Sequence, residues 1–162
     1  MYFNNDVTGD TLRVGASLIE KWADFRKVIS EMFQKKSFIQ MKLWKYLLEN
    51  LKQDINGKLS YSYITKENIR ELGIAREEIW GFLKGAINEI LINIEGTQIA
   101  FLLYPLDATE NKVSMRAFPG NNVASICETF WGGGHILAAG FQSFESEELI
   151  LKNLIQKIKE VL

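Results

Sequence analysis

The residues most able to do chemistry form one short run, Trp131-Gly132-Gly133-Gly134-His135. Glycine loses more backbone entropy on folding than any other residue, so three in succession indicate positive φ angles or a backbone held close to another group. Successive exposed amides can hold an anion, and an imidazole adds one more donor. The run therefore predicts a phosphate-binding site, and a helix C-cap followed by a tight turn is the open alternative.

Arg116 is the cation that could complete such a site. It lies on a predicted strand, and the helix after that strand leads into the glycine run. The C-terminal end of a helix repels anions, so amides and side chains must supply the attraction. A guanidinium suits a bidentate phosphate contact. Ser114 lies two residues earlier on the same strand face, where its hydroxyl could reach a phosphate. The alternative for Arg116 is a solvated strand residue.

Composition excludes several other classes of protein. The 162 residues include 19 basic and 20 acidic side chains, and a net charge of −1 argues against a general nucleic-acid coat. His135 is the only histidine and the aspartates are scattered, so we predict no metal site in this chain. Cys127, the only cysteine, excludes an internal disulfide. The apolar runs are too short to cross a membrane, and we expect a cytoplasmic protein with no membrane partner.

The elements that must position these residues change character along the chain. Residues 1–56 have apolar side chains at three- and four-residue steps, which predicts helices, with caps at Asp24 and Ser37 and a closing turn at Asn56-Gly57. Strands are predicted over 59–63, 97–104, 112–118 and 138–142. Helices are predicted from Thr65 to Gly73, over 77–93, around 123–130 and from Ser146 onward. The expected fold is α/β (α+β), a mixed β-sheet covered by helices and preceded by a helical segment.

One family combines these features in the same order. Lys112-Val113-Ser114-Met115-Arg116, a helix, Phe130-Trp131-Gly132-Gly133-Gly134-His135 and Ala138-Ala139-Gly140-Phe141 together resemble the DHH-associated domain of the DHH-type phosphoesterases. The spacing is most similar to the branch that hydrolyses short oligoribonucleotides or 3′-phosphoadenosine-5′-phosphate. The resemblance implies that residues 1–56 end the catalytic half and link it to a substrate-binding domain, residues 57–162. The ligands of two manganese ions would then lie upstream of Met1, so this chain alone would hold no cofactor and be inactive.

The resemblance also assigns roles to residues. Within the family the glycine-rich loop and its histidine contact a substrate phosphate, which implies a short oligonucleotide or a nucleotide phosphate as ligand. The implied substrate-binding residues are Gly132, Gly133, Gly134, His135 and Arg116, with Ser114 as a weaker candidate. Trp131, Phe118 and the pair Ile136-Leu137 depart from the residues common in relatives, which leaves the nucleotide preference open.

Two other interpretations remain open. The chain could be a stand-alone nucleotide or single-strand binding module that holds its ligand between Arg116 and His135 without catalysis. Alternatively, the helices of residues 1–56 could mainly dock another chain, either an upstream catalytic domain or a second copy in a homodimer, because an apolar stripe on them would favour association.

Overall fold

The computed structural model describes residues 7–31, 35–83 and 85–162. A mixed β-sheet packs against helices, which confirms the predicted α/β class. The chain divides into two compact units, Met1–Phe38 and Ile39–Leu162. The functional boundary after residue 56 stays a prediction.

The first unit contains two helices, α1 (Gly9–Glu20) and α2 (Phe25–Ile29). Thr8 and Thr11 cap α1 reciprocally, each side chain bonding the other's backbone amide. The Asp24 carboxylate accepts from the Lys27 amide at 2.9 Å, which confirms the predicted cap of α2. Neither helix has a buried residue. Apolar side chains about half exposed on α1 are Leu12, Val14, Leu18 and Ile19.

The second unit is built on six strands in the order β1-β2-β3-β4-β6-β5. The strands are β1 (Lys52–Asp54), β2 (Leu59–Tyr63), β3 (Ile99–Pro105), β4 (Asn111–Ala117), β5 (Gly133–His135) and β6 (Ala138–Ser143). β2 and β3 are parallel, and the other neighbouring pairs are antiparallel. The predicted pairing of β3 with β4 is confirmed, with Leu102 opposite Ser114.

The helices of this unit in the described structure are α3 (Phe38–Glu49), α4 (Lys66–Leu72), α5 (Arg76–Leu83), α6 (Ala86–Glu89), α7 (Val123–Glu128) and α8 (Glu147–Lys159), with a 3-10 turn at Leu91–Asn93. Three of these six helices, α4, α7 and α8, have a side-chain cap at the N-terminus in the described structure. Thr65 caps α4, and Gly73 ends it in the left-handed conformation at φ 62°. Ser146 caps α8 through the Leu149 amide. These three positions confirm the sequence prediction.

Two hydrophobic cores lie on opposite faces of the sheet because successive strand side chains alternate between faces. Phe101 and Met115 face one core, which includes apolar residues of α7 and α8. Ala100 and Leu102 face the other, which includes residues of α3, α5 and α6. Within the described part of the chain, this second core takes no side chain from β4, β5 or β6. That part of the second face is therefore left without a helical cover of core residues.

The prediction of a single helix over 77–93 is wrong. The chain instead forms α5, α6 and a 3-10 turn, and Gly85 is the N-cap of α6. A Cβ on Gly85 would lie 3.2 Å from the Trp44 ring, so the backbone there packs close to α3. Glycine is also a weak helix former, which makes it a natural position for the break.

Two strands were missed. β1 lies within the segment predicted to be helical, because Asn56-Gly57 closes a hairpin with β2, at φ 54° and 83°, instead of simply ending a helix. β5 takes up Gly133–His135, which were expected to form a loop. Both strands are three residues long and lack the alternating apolar pattern that predicts a strand.

Candidate functional site

The predicted site residues lie on three neighbouring strands, β4, β6 and β5. Cross-strand partners share a sheet face, so the pairing register assigns side chains to faces without further assumption. Two rows on the uncovered face contain the predicted residues. They are Arg116-Ala138-His135 and Ser114-Gly140-Gly133. We call this surface the open face.

The open face has a floor of very small residues. Ala138 lies between Arg116 and His135, and Gly140 lies between Ser114 and Gly133. Neighbouring strands are about 4.8 Å apart, so the Arg116 and His135 backbones are roughly 10 Å apart with only a methyl group between them. This shallow trough lies between the strand positions of Arg116 and His135, and it has the width to accept an anionic group.

The three glycines have different structural roles. A Cβ on Gly132 would lie 2.3 Å from the Gly140 carbonyl oxygen, and one on Gly134, at φ 147°, would lie 2.6 Å from the Ala138 carbonyl oxygen. These two glycines allow β5 to pack tightly on β6. Gly133 has nothing within 4 Å of its Cβ position. The backbone at Gly132 and Gly134 is thus held close to β6, as predicted.

The run is not the predicted loop of successive exposed amides. Gly133–His135 form the edge strand of the sheet, so alternate amides face β6 and the others face outward. The helix C-cap interpretation applies to the residues just before it. The Trp131 amide donates to the Glu128 carbonyl at 3.1 Å, and the Gly132 amide donates to the Cys127 carbonyl at 2.9 Å.

Arg116 is held in place from the α6 side of the open face. Its Nε donates to Asn88 Oδ1 at 2.9 Å, and its Nη1 donates to the Met115 carbonyl at 2.8 Å. These bonds use two of its five N–H donors, and neither partner is a carboxylate. Partial burial lowers the pKa of Arg116, but an arginine remains charged at neutral pH. The guanidinium therefore keeps its charge and free donors for a ligand, although its two partners draw it toward α6 and not toward His135.

Tyr104 and Asn88 are site residues that sequence reasoning missed. Burial raises the pKa of the Tyr104 phenol, opposed by a hydrogen bond from Ser114 and by the Arg116 charge. Ser114 is itself only 6% exposed. Its hydroxyl therefore lies below the surface of the open face, where it hydrogen-bonds to Tyr104. No sequence signal could have found the contact between Tyr104 and Ser114, because it depends on the register of β3 against β4.

His135 is exposed at the end of β5. Ile136, the next residue in the chain, is 61% exposed, and Phe118, which follows β4, is 44% exposed. The Ile136 carbonyl accepts from the Val123 amide at 2.8 Å, which links the segment after His135 to the start of α7.

Solved structures of two proteins resemble this fold. One is an exopolyphosphatase-related protein from Bacteroides fragilis, with a TM-score of 0.85 and 20% identity over 98% of this chain and 45% of that chain. The other is the pGpG-specific phosphodiesterase PggH from Vibrio cholerae, with a TM-score of 0.54 and 14% identity over 99% of this chain and 54% of that chain. The chain shares its fold with both proteins. It spans about half the length of each.

Other comparisons find no relative: no known protein-family profile and no curated protein sequence matches the chain. The fold is therefore established by structural likeness alone.

The residues that the structure describes do not fit a metal centre. Among residues 7–31, 35–83 and 85–162, no three His, Cys, Asp or Glu side chains are grouped so that they could hold an ion. The manganese ions implied by the resemblance thus find no ligand set in the described part of this chain. None of the helices described here has the length and apolar character needed to cross a bilayer.

Proposed function

We propose that the open face binds the phosphate of a short oligoribonucleotide or of adenosine 3′,5′-bisphosphate. In this proposal the chain is the substrate-binding part of a DHH-type phosphoesterase, and the metal-binding half belongs to a segment outside it. The observation that carries the proposal is the row Arg116-Ala138-His135, in which an arginine and a histidine lie on either side of a nearly bare strand. The folds of the two phosphoesterase-related neighbours, each about twice as long, support it.

The chemistry of the open face suits a phosphoryl group. The Arg116 guanidinium offers a planar pair of donors, and Asn88 limits its rotation before the ligand arrives. His135 supplies a second donor from the opposite side of the trough. Gly133 lets an anion approach the outward-facing edge of the sheet. Binding and orienting the substrate are the tasks that these residues perform, and we assign them no step of bond cleavage.

Calorimetric titration with adenosine 3′,5′-bisphosphate tests the proposed site. Arg116→Ala should weaken binding at least tenfold, because a charged donor pair is lost, and His135→Ala should weaken it by a smaller factor. Arg13→Ala removes an equal charge from exposed α1 and serves as the control. Equal affinities for all four proteins would overturn the proposal.

A hydrolysis assay tests the division of labour. The 162-residue chain, incubated with manganese and a labelled diribonucleotide, should bind the substrate without robust turnover. Hydrolysis that survives repurification and disappears in Arg116→Ala would show that this chain carries its own catalytic centre, contrary to the proposal.

A stand-alone nucleotide-binding module is the second candidate. It is favoured by the second unit, Ile39–Leu162, which is compact and contains both hydrophobic cores. Tight binding by residues 39–162 alone, unchanged in the longer protein that contains any upstream metal domain, would support this candidate over the first.

The proposed partners follow from the first unit. Exposed apolar side chains on α1 suit a contact with an upstream catalytic domain or with a second copy of the chain in a homodimer. Light scattering over a concentration series distinguishes the two, because only the homodimer changes mass as this chain is diluted.

A further inference from the structure

A second concavity lies at the edge of the sheet, where β6 extends past the end of β5. It has a volume of about 580 Å³ and is bounded by the chain after α7, the end of β6 and α8. We call it the aromatic groove, and the lining residues used here are Phe130, Trp131, Gln142, Phe144, Glu145 and Asn153. Its volume is within the range of sites that bind small molecules.

Trp131 is the least expected residue in this groove. Its side chain is fully exposed, so it gains nothing from burial. Its backbone is left-handed, at φ 60°, in the C-cap position that usually holds glycine. A bulky residue at positive φ is an outlier, and such strain is concentrated at functional sites. Burial therefore does not account for a tryptophan here, and its ring is accessible to a ligand in the groove.

The other lining residues supply a stacked pair of aromatic rings and side chains that can hydrogen-bond to a ligand. The Phe130 ring stacks on Phe141, with centroids 4.6 Å apart and planes 11° apart, and Phe144 is 79% exposed. Gln142 and Asn153 are exposed amides, each able to donate and to accept. Among the described side chains that line the groove, Glu145 alone is charged.

These properties select the class of ligand. A groove with one carboxylate and no cation disfavours a phosphate. Exposed aromatic rings stack on flat rings, and paired donor and acceptor amides read the edge of a base. A neutral, planar heterocycle with hydrogen-bonding edges meets all three conditions.

Most of the groove lies on the side of the sheet that packs against α7 and α8, because Phe141 belongs to that core and Phe130 packs against it, and Gln142 connects the groove to the open face. Gln142 pairs with Lys112 and lies two residues from Gly140 on the same sheet face, about 7 Å along the strand. One ligand can therefore reach both. We propose that the aromatic groove binds a nucleobase of the ligand whose phosphate occupies the open face. This inference rests on the proposed function and adds to it a site for the base.

Free nucleosides test the groove without the phosphate site. Adenosine and guanosine, titrated by NMR, should shift the Trp131 indole N–H resonance, which is identified by its loss in Trp131→Gly. By equilibrium dialysis, Trp131→Gly should bind nucleosides at least tenfold more weakly than wild type. Ribose should cause no shift. An equal response to ribose would overturn the assignment to a base.

Trp22→Gly is a matched control. Trp22 is also left-handed, at φ 72°, and 95% exposed, but it lies in the first unit. Trp22→Gly should bind nucleosides like wild type. Trp131→Gly should melt no lower than wild type, because glycine is favoured at that backbone position, so lost binding would not reflect unfolding. Equal nucleoside affinities for the two variants would overturn the inference.

Arg116→Ala separates this inference from the proposed function. It should keep nucleoside binding while losing affinity for adenosine 3′,5′-bisphosphate. If nucleosides fail to bind but the bisphosphate binds through Arg116, the groove inference is wrong and the proposed function stands. If nucleosides bind at Trp131 but the bisphosphate binds no more tightly than adenosine, the proposed function is wrong and a base-binding groove stands alone.

Discussion

Gly132 and Gly133 are neighbours whose replacement by alanine should have opposite consequences. At Gly132 the new Cβ would lie 2.3 Å from the Gly140 carbonyl oxygen and 2.4 Å from the Phe141 Cβ, more than 1 Å inside ordinary contact. The strand β5 must then move away from β6. We expect a loss of about 2–3 kcal/mol, the cost of overpacking a well-packed site. For a chain of this length that corresponds to a melting temperature lower by about 4–12 °C.

At Gly133 nothing lies within 4 Å of the new methyl group, so stability should be unchanged or slightly higher. Replacing glycine at a compatible position stabilises a protein by about 0.4–1 kcal/mol, because the unfolded chain loses freedom. The same methyl group would project onto the open face, opposite Gly140. We therefore expect Gly133→Ala to weaken binding of adenosine 3′,5′-bisphosphate at least tenfold, about 1.4 kcal/mol.

Differential scanning calorimetry and isothermal titration, applied to both variants, measure the two effects separately. Gly133→Ala that melts like wild type and also binds like wild type would refute the placement of the ligand on the open face. Gly132→Ala that melts like wild type would refute the argument that this glycine is required for the packing of β5 on β6.

Three further predictions concern residues around the site and the sheet. Burial raises the pKa of the Cys127 thiol to about 12. A thiol reagent at pH 8 should therefore label the native protein only as fast as the protein unfolds. Rapid stoichiometric labelling would contradict this expectation. The Ile55 amide lowers the pKa of Asp54, so its carboxylate stabilises the fold above pH 4 and loses that effect as pH falls through the native pKa. Asp54→Asn should therefore cost roughly 0.5 kcal/mol at pH 7, and the difference from wild type should vanish near pH 2, as measured by urea unfolding. Asn88→Ala should change the free energy of unfolding by no more than about 0.5 kcal/mol. It should weaken bisphosphate binding about threefold to tenfold, because Arg116 loses the acceptor that orients its guanidinium. Unchanged affinity by calorimetry would contradict that role of Asn88.

Local signals predicted most of the secondary structure. Asp24, Thr65 and Ser146 cap helices where expected, because a cap depends on a side chain and an amide two or three residues away. The apolar pattern located β3 and β4, and a short polar connection made their pairing predictable. The prediction of one helix over 77–93 failed because the chain divides it into α5, α6 and a 3-10 turn, in a stretch whose Gly81 and Gly85 are weak helix formers.

The sequence by itself determined which residue types could bind a phosphate and that Ser114 and Arg116 share a strand face, because period-two alternation is a local property of the backbone. Only the tertiary structure decided that Arg116 and His135 flank Ala138 in one row, that Ser114 turns to Tyr104, and that Asn88 holds the guanidinium. Those arrangements depend on strand order and register. Register depends on which side chains of several strands must reach the buried face together, and no short stretch of sequence encodes that.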